Sequence, residues 1–374
     1  MDLDKRLLII CGPTATGKTR LALELARKFN GELVSCDSRQ VYQFMDVVTG
    51  KEIPKNFIYR FSDFDFPPLR IGYYSCRNQS ITDNIKIWGY DLVRPDQQFN
   101  VQLYLEFVSR AVLYLWSQGK LPIVVGGTGM YLKSLVEPPE TLGVPMDVKL
   151  RKELDKKHIG ELLNLLQERD PDKVKRMNKS DKINPRRLIR AIEVAENNLK
   201  IKDLKLKFIK QVLSIELLNY MKTVKGVRIL WVGLNYRRRK RLYELIDKRV
   251  DTRLAEDQIV GELDYLVKKD YLPHIPAVTI GYQQLIKWMG GEISFEEMVK
   301  QWKFAEHGYA RRQLTWFKKQ TGIHWFEVNE RNFKSKVEKL VREWYYRNIK
   351  YQIKYRKKET EFRIQKNMLY GWMM

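Results

Sequence analysis

The stretch CGPTATGKT, Cys11 to Thr19, constrains the fold of this chain more than any other segment. It closes a short apolar run, Leu7 to Cys11, of the kind that forms a strand buried on both faces. Beyond it, Leu21, Leu25, Ala26 and Phe29 recur at helical spacing. Strand, glycine-rich loop and helix form the context that a G-x-x-x-x-G-K-T loop requires. Gly12 and Gly17 let the backbone curl, so that successive N–H groups and the helix N-terminus converge on one anion. Lys18 adds a positive charge, and Thr19 offers a hydroxyl that can ligate Mg²⁺.

Two more segments fit the same sheet. In GELVSCDSRQVY, Leu33 to Ser35 reads as a strand and Asp37 lies just past its carboxyl end. Ligands of open α/β sheets bind at that edge, so Asp37 is expected to face the phosphate loop. In QGKLPIVVGGTGMYLKSLV, a helix from about Asn100 to Gln118 ends near Gly119, and Ile123 to Val125 is a buried strand. That strand runs into Gly126, Gly127 and Thr128, where a hydrolytic phosphate-loop enzyme usually carries a carboxylate for the Mg²⁺ shell. Its absence argues against a motor or switch. The expected fold class is α/β, a P-loop NTPase-like parallel sheet flanked by helices, with an inserted helical domain and a basic C-terminal extension.

The formal net charge of +24 over 374 residues points to a polyanionic partner. No apolar run approaches the length of a membrane span, which leads to a soluble, cytoplasmic protein with no membrane partner. Cys11, Cys36 and Cys76 are widely spaced and lack a CxxC pattern, so small buried residues are expected rather than a disulfide or zinc site.

The segments GPTATGKT, DSRQVYQFMDVVTGKE, GKLPIVVGGTGMYLKSL, INPRRLIRAIEV, AVTIGYQQLIKWMGGEISFEEM and ARRQLTWFKK, in that order, resemble the tRNA dimethylallyltransferases, also called tRNA isopentenyltransferases. The likeness covers most of Leu7 to Val328, and the combination of DSxQVY, GGTGxYL, NPRRxIRAIE and GYxQ is highly specific. The resemblance implies transfer of a dimethylallyl group from its diphosphate to N6 of the adenosine just 3′ of the anticodon, with pyrophosphate leaving. It implies Mg²⁺ as cofactor, and tRNA and dimethylallyl diphosphate as partners. Position by position, it makes Asp37 the general base and places Thr128 near the reacting centre. Gly12, Thr14, Ala15, Thr16, Gly17, Lys18 and Thr19 become the diphosphate cradle, with Thr19 on the metal. Asp37, Ser38, Arg39 and Gln40 match the segment that recognises the adenosine. Arg151, Arg186, Arg187 and Arg190 match tRNA contacts, as do Thr279, Gly281, Tyr282 and Gln283.

The chain also departs from that pattern. Lys51 to Asp91 is longer than expected, and IWGYDLV stands where the family has a histidine-containing stretch. Tyr73, Tyr74, Trp88 and Tyr90 there are candidates for the prenyl pocket or the tRNA surface. Asn100 replaces a common Ser or Thr, Leu245 replaces an arginine while Arg239 and Arg249 remain, and no zinc-finger pattern follows Cys76.

The basic residues themselves suggest RNA. Arg186 and Arg190 lie four apart on one helix face, opposite Leu188, Ile189 and Ile192. HGYARRQLTWFKK interleaves Arg311, Arg312, Lys318 and Lys319 with Tyr309, Trp316 and Phe317, a mixture of phosphate clamps and stacking platforms suited to a looped-out strand. From Arg331 onward there are 13 Lys/Arg against 4 Asp/Glu, read as an auxiliary RNA-binding arm with a packing helix as the alternative. The expected domains are a core over 1–140, a helical insertion over 141–225, the second part of the core over 226–328 and an extension over 329–374. With no sustained heptad and a large substrate, a monomer is expected. Competing readings are an adenylate isopentenyltransferase acting on free AMP, ADP or ATP, a small-molecule P-loop kinase, and a non-catalytic RNA-binding protein.

Overall fold

The structure, a computed structural model, describes residues 5–62, 69–76, 85–139, 141–142, 144, 146–200, 217, 220, 223–255, 258–275 and 279–347. Its strands are β1 (Arg6–Cys11), β2 (Gly31–Cys36), β3 (Phe57–Phe61), β4 (Gly72–Cys76), β5 (Lys86–Trp88), β6 (Leu121–Gly126), β7 (Arg228–Asn235) and β8 (Ile323–Glu327). Its helices are α1 (Lys18–Lys28), α2 (Val101–Ser117), α3 (Gly129–Val136), α4 (Val148–Leu154), α5 (Ile159–Arg169), α6 (Pro171–Arg176), α7 (Lys179–Lys182), α8 (Pro185–Lys200), α9 (Arg239–Leu254), α10 (Gln258–Lys268), α11 (Tyr282–Met289), α12 (Phe295–Phe317) and α13 (Phe333–Tyr346). Among the described residues no helix is long and apolar enough to cross a membrane.

Two compact units emerge: one from 1–100, 111–132 and 226–374, the other from 101–110 and 133–225. The larger unit is built on one sheet in the order β3-β4-β5-β2-β6-β1-β7-β8. The six strands from β5 to β8 run parallel, and β3 and β4 add an antiparallel edge. Strands from both ends of the chain meet at the centre, where β1 lies between β6 and β7 with Ile9 opposite Val124 and Trp231. The continuous apolar run of β1 has its reason in that position, since every one of Leu7 to Cys11 is fully buried.

The α1 side of the sheet buries Leu8, Ile10, Leu33, Ile123 and Val125 against Leu21 and Leu25. Val337 and Val341 of α13 complete this layer, both fully buried. Lys28 and Lys334 ion-pair with Glu338 and Glu24, and Tyr345 meets the ring of Phe29 at 5.4 Å. The extension expected over 329–374 is therefore a core-packing helix through Tyr346, because its period-3.6 apolar face has a sheet to cover. Its remaining aromatic and basic residues, Tyr351 to Trp372 among them, lie outside the described residues. Cys11, Cys36 and Cys76 are free and buried.

In the smaller unit, α4 to α8 surround Leu154, Leu162, Leu166, Leu188, Ile189 and Ile192. Its polar centre is Glu193, whose side chain is fully buried. It accepts from Arg151 at 2.7 Å, from Arg190 and from the Asp147 N–H at 2.6 Å. Burial alone would raise its acidity constant, but these donors outweigh it and hold the carboxyl below its usual range.

Candidate active site at the carboxyl edge of the sheet

β1, β2 and β6 all end at the same edge, and their loops form one cleft of about 300 Å³. The phosphate loop supplies Thr14, Ala15, Gly17, Lys18 and Thr19 to its wall. The loop turns because Gly12 and Gly17 take φ of 135° and 74°. At Gly12 a Cβ would meet the Leu234 carbonyl oxygen at 2.3 Å, so only glycine fits beneath β7. The Pro13 carbonyl accepts from the Thr16 hydroxyl at 2.9 Å and from Lys18 Nζ at 2.7 Å, which tucks the lysine over the loop. Burial of Lys18, with Arg249 adding to it, lowers its pKa to about 8, against the pull of Glu52 and Asp37.

Asp37 lines the same cleft, immediately past β2. Its Oδ1 accepts the Arg39 backbone N–H at 2.9 Å, an Asx-type turn that fixes the carboxylate. Among the described residues Oδ2 has no hydrogen-bond partner. The Thr128 hydroxyl accepts the Ser38 N–H at 3.0 Å and touches the Tyr309 phenol, so β2 and β6 are joined beside the carboxylate. Burial pushes the Tyr309 and Tyr90 phenols up, which keeps both neutral on the cleft wall.

Gln313 of α12 locks the phosphate loop to the glycine turn after β6. Its Oε1 accepts the Thr14 N–H at 2.9 Å, and its Nε2 donates to the Gly127 carbonyl at 3.0 Å. From α9, Arg249 donates to the Thr14 hydroxyl and to the Gly50 carbonyl, both at 2.9 Å, and pairs with Glu52 at 3.1 Å. Arg253 donates to the Val48 carbonyl at 3.1 Å and pairs with Glu306 at 3.2 Å. Burial, with Arg249 next, lowers the Arg253 pKa to about 10. On the far side of this loop, Glu262 accepts the N–H groups of Asp46 and Val47 at 2.6 Å and the Tyr282 hydroxyl at 2.5 Å. The cleft thus sets one unencumbered carboxylate oxygen opposite an anion cradle, with cationic side chains between them.

The sequence model of the IPP transferase family matches residues 77–320. A tRNA dimethylallyltransferase of Acetivibrio thermocellus is 33% identical over 352 residues, covering 93% of this chain and 97% of that protein. The chain belongs to the IPP transferase family. It is a transferase of that family, and its fold agrees. The tRNA delta(2)-isopentenylpyrophosphate transferase of Staphylococcus epidermidis is 28% identical with a TM-score of 0.56, over 91% of this chain and 98% of that one. The tRNA isopentenylpyrophosphate transferase of Bacillus halodurans, 24% identical, shares the fold with a TM-score of 0.60, over 93% of this chain and 99% of that one.

In this IPP transferase the phosphate loop and Asp37 to Gln40 line one cleft together with Thr279 and Arg312. The Thr279 hydroxyl is buried with no partner, which leaves it available to a ligand. Gly281 takes φ of 91° and starts α11, and Gln283 is exposed. Tyr282 corrects the expectation of a tRNA contact: it is fully buried and its hydroxyl is committed to Glu262. In the smaller unit Arg186 and Arg187 are exposed, Arg187 pairing with Asp181. Arg151 and Arg190 bind Glu193 instead of pointing freely outward, so their first role is to frame α4 and α8. Of the four aromatic candidates only Tyr90 lines the cleft. Trp88 is buried and donates to Glu32 at 2.7 Å, Tyr73 stacks on Trp88, and Tyr74 donates to Asp91 at 2.5 Å.

Sequence reasoning gave no role to Gln313, Arg249, Arg253 or Glu306. Each reaches the cleft from a helix far along the chain, and no local spacing marks such a residue. Gln313→Ala is expected to destabilise the fold by about 2 kcal/mol, since it strands the buried Thr14 N–H and Gly127 carbonyl. Urea denaturation checks this, and an unchanged midpoint would show that the lock between loop and glycine turn carries no weight.

Proposed function

We propose that this IPP transferase moves a dimethylallyl group from dimethylallyl diphosphate to N6 of the adenosine just 3′ of the anticodon in tRNA. The observation that carries the reading is the opposition of Asp37 and the Lys18 loop across one cleft. An adenine amine is a weak nucleophile, because its lone pair is delocalised into the ring. Hydrogen-bonded to Asp37 Oδ2, N6 gains electron density and attacks C1 of the allylic chain. The C–O bond to the diphosphate breaks with its electron pair, pyrophosphate departs, and the N6 proton passes to Asp37. Lys18, the loop N–H groups and Arg249 stabilise the charge on the leaving group. Thr128, bonded to Ser38, keeps the two strand ends in register at the reacting centre. Arg39 and Gln40 hold the adenosine, while Arg186, Arg187, Arg311 and Arg312 hold the RNA backbone.

Mg²⁺ is the proposed cofactor. The Thr19 hydroxyl lines the cleft, and no cluster of three or more His, Cys, Asp or Glu is found among the described residues. That donor set suits a hard cation held mainly by substrate oxygens and water, with Thr19 as its protein ligand. When bound, the ion would offset charge on the departing pyrophosphate. We further propose that the protein acts in the cytoplasm as a monomer.

The test offers labelled dimethylallyl diphosphate with either unmodified tRNA or AMP. Label in tRNA alone is expected. Label in AMP alone would assign the chain to the free-nucleotide reaction, and steady ATP turnover without prenyl donor would point to a kinase.

A further inference from the structure

Beside the cleft lies a second, smaller cavity of about 50 Å³ that the proposed chemistry does not use. It sits between α9 and α12. Arg239, Leu242 and Tyr243 come from the first, and Arg311, Thr315 and the flanking Lys318 from the other side. The floor is apolar and belongs to the Leu242, Ile246 and Ala310 cluster, on which Ala15 of the phosphate loop also packs. The rim is cationic. Arg239, Arg311 and Lys318 are all exposed, and none of them has a salt-bridge partner among the described residues. Arg237, Arg238 and Lys240 continue the same exposed surface, likewise without salt bridges. By contrast, Arg241 pairs with Glu244 at 3.1 Å.

Five consecutive cations with one acid in reach repel one another, and such a run persists at a sheet edge when a polyanion offsets the repulsion. The cavity accepts a phosphate-sized group and is too small for a nucleoside. One helix serves both places: Arg312 and Gln313 face the cleft, while Arg311 and Thr315 face the cavity. An RNA strand with one base in the cleft would bring a neighbouring phosphate past this rim.

We propose that the cavity between α9 and α12, with the run Arg237–Lys240 beside it, seats backbone phosphates of the tRNA strand that carries the target adenosine. The inference rests on the tRNA-directed reading above. Its role is positional and electrostatic: it adds affinity and salt dependence while leaving the chemical step alone.

The experiment compares wild type with Arg239→Ala/Lys318→Ala, both exposed positions whose loss leaves the core intact. Filter binding of unmodified tRNA across salt concentrations gives the slope of log Kd against log salt. The double variant is expected to lose about one to one and a half units of slope. Its KM for tRNA should rise, with kcat and the KM for dimethylallyl diphosphate unchanged. The charge-conserving pair Arg239→Lys/Lys318→Arg should restore the slope. An unchanged slope in the alanine variant would overturn the proposal. Calorimetric binding of inorganic phosphate, lost in that variant while its tRNA slope stays wild-type, would assign the cavity to a free anion and also overturn it. Failure of the wild-type protein to prenylate tRNA sinks the functional reading. Prenylation with an unaltered slope sinks this inference alone.

Discussion

Asp37→Asn is expected to lower prenyl transfer to tRNA by about 10²–10⁴-fold, the range lost when a positioned general base is removed. The asparagine keeps an oxygen for the Arg39 N–H, so the turn after β2 and the contacts of Ser38 with Thr128 should survive. tRNA affinity should therefore stay close to that of the wild type. The pair of readouts separates a base from a scaffold: a structural role would weaken binding and transfer together. A variant with wild-type rate would show that the N6 proton goes elsewhere.

Lys18→Met is expected to weaken dimethylallyl diphosphate binding by about 10- to 100-fold, the worth of a charge-assisted hydrogen bond made in a desolvated site. The same substitution should not unfold the protein, since a buried amine bonded only to the Pro13 carbonyl is exchanged for an apolar chain. The wild-type pH dependence has a definite sign. Burial lowers the Lys18 pKa to about 8 in the free protein, whereas a bound diphosphate favours the charged form. Below about 8 the lysine is already charged and binding is strongest. Above it, each binding event takes up a proton, and affinity should fall by up to about tenfold per pH unit. Stability runs the other way. The unfolded chain binds more protons between about 8 and the ordinary lysine range, so unfolding free energy rises with pH across that window. Calorimetric titrations of both proteins from neutral to alkaline pH check these trends. A flat wild-type profile would remove Lys18 from the diphosphate site.

Most of the larger unit was legible in the sequence, because each central strand is a short apolar run followed by its turn signal. Leu7 to Cys11, Leu33 to Ser35 and Ile123 to Val125 all lie within observed strands, and Gly119 takes the positive φ expected past a helix end. Asp37 could be placed because its position past β2 follows from topology. What escaped was set by distant packing. Nothing local distinguishes Tyr282, which is buried on Glu262, from the neighbouring exposed Gln283. The aromatic and cationic composition of 331–346 reads as an RNA arm, yet Val337 and Val341 turn its apolar stripe into the core. Gln313 sits between two arginine- and tryptophan-bearing turns, and only the return of α12 to the phosphate loop gives it a partner.

The central claim is that a base and an anion cradle meet across one cleft. Its most direct test is a structure with a non-hydrolysable dimethylallyl thiolodiphosphate and an unmodified anticodon stem-loop. The expected result has the diphosphate on the N–H groups of Ala15 to Thr19 and Lys18 Nζ, with adenosine N6 in hydrogen-bond contact with Asp37. A diphosphate seated away from the loop, or an adenosine whose N6 points away from Asp37, would contradict it.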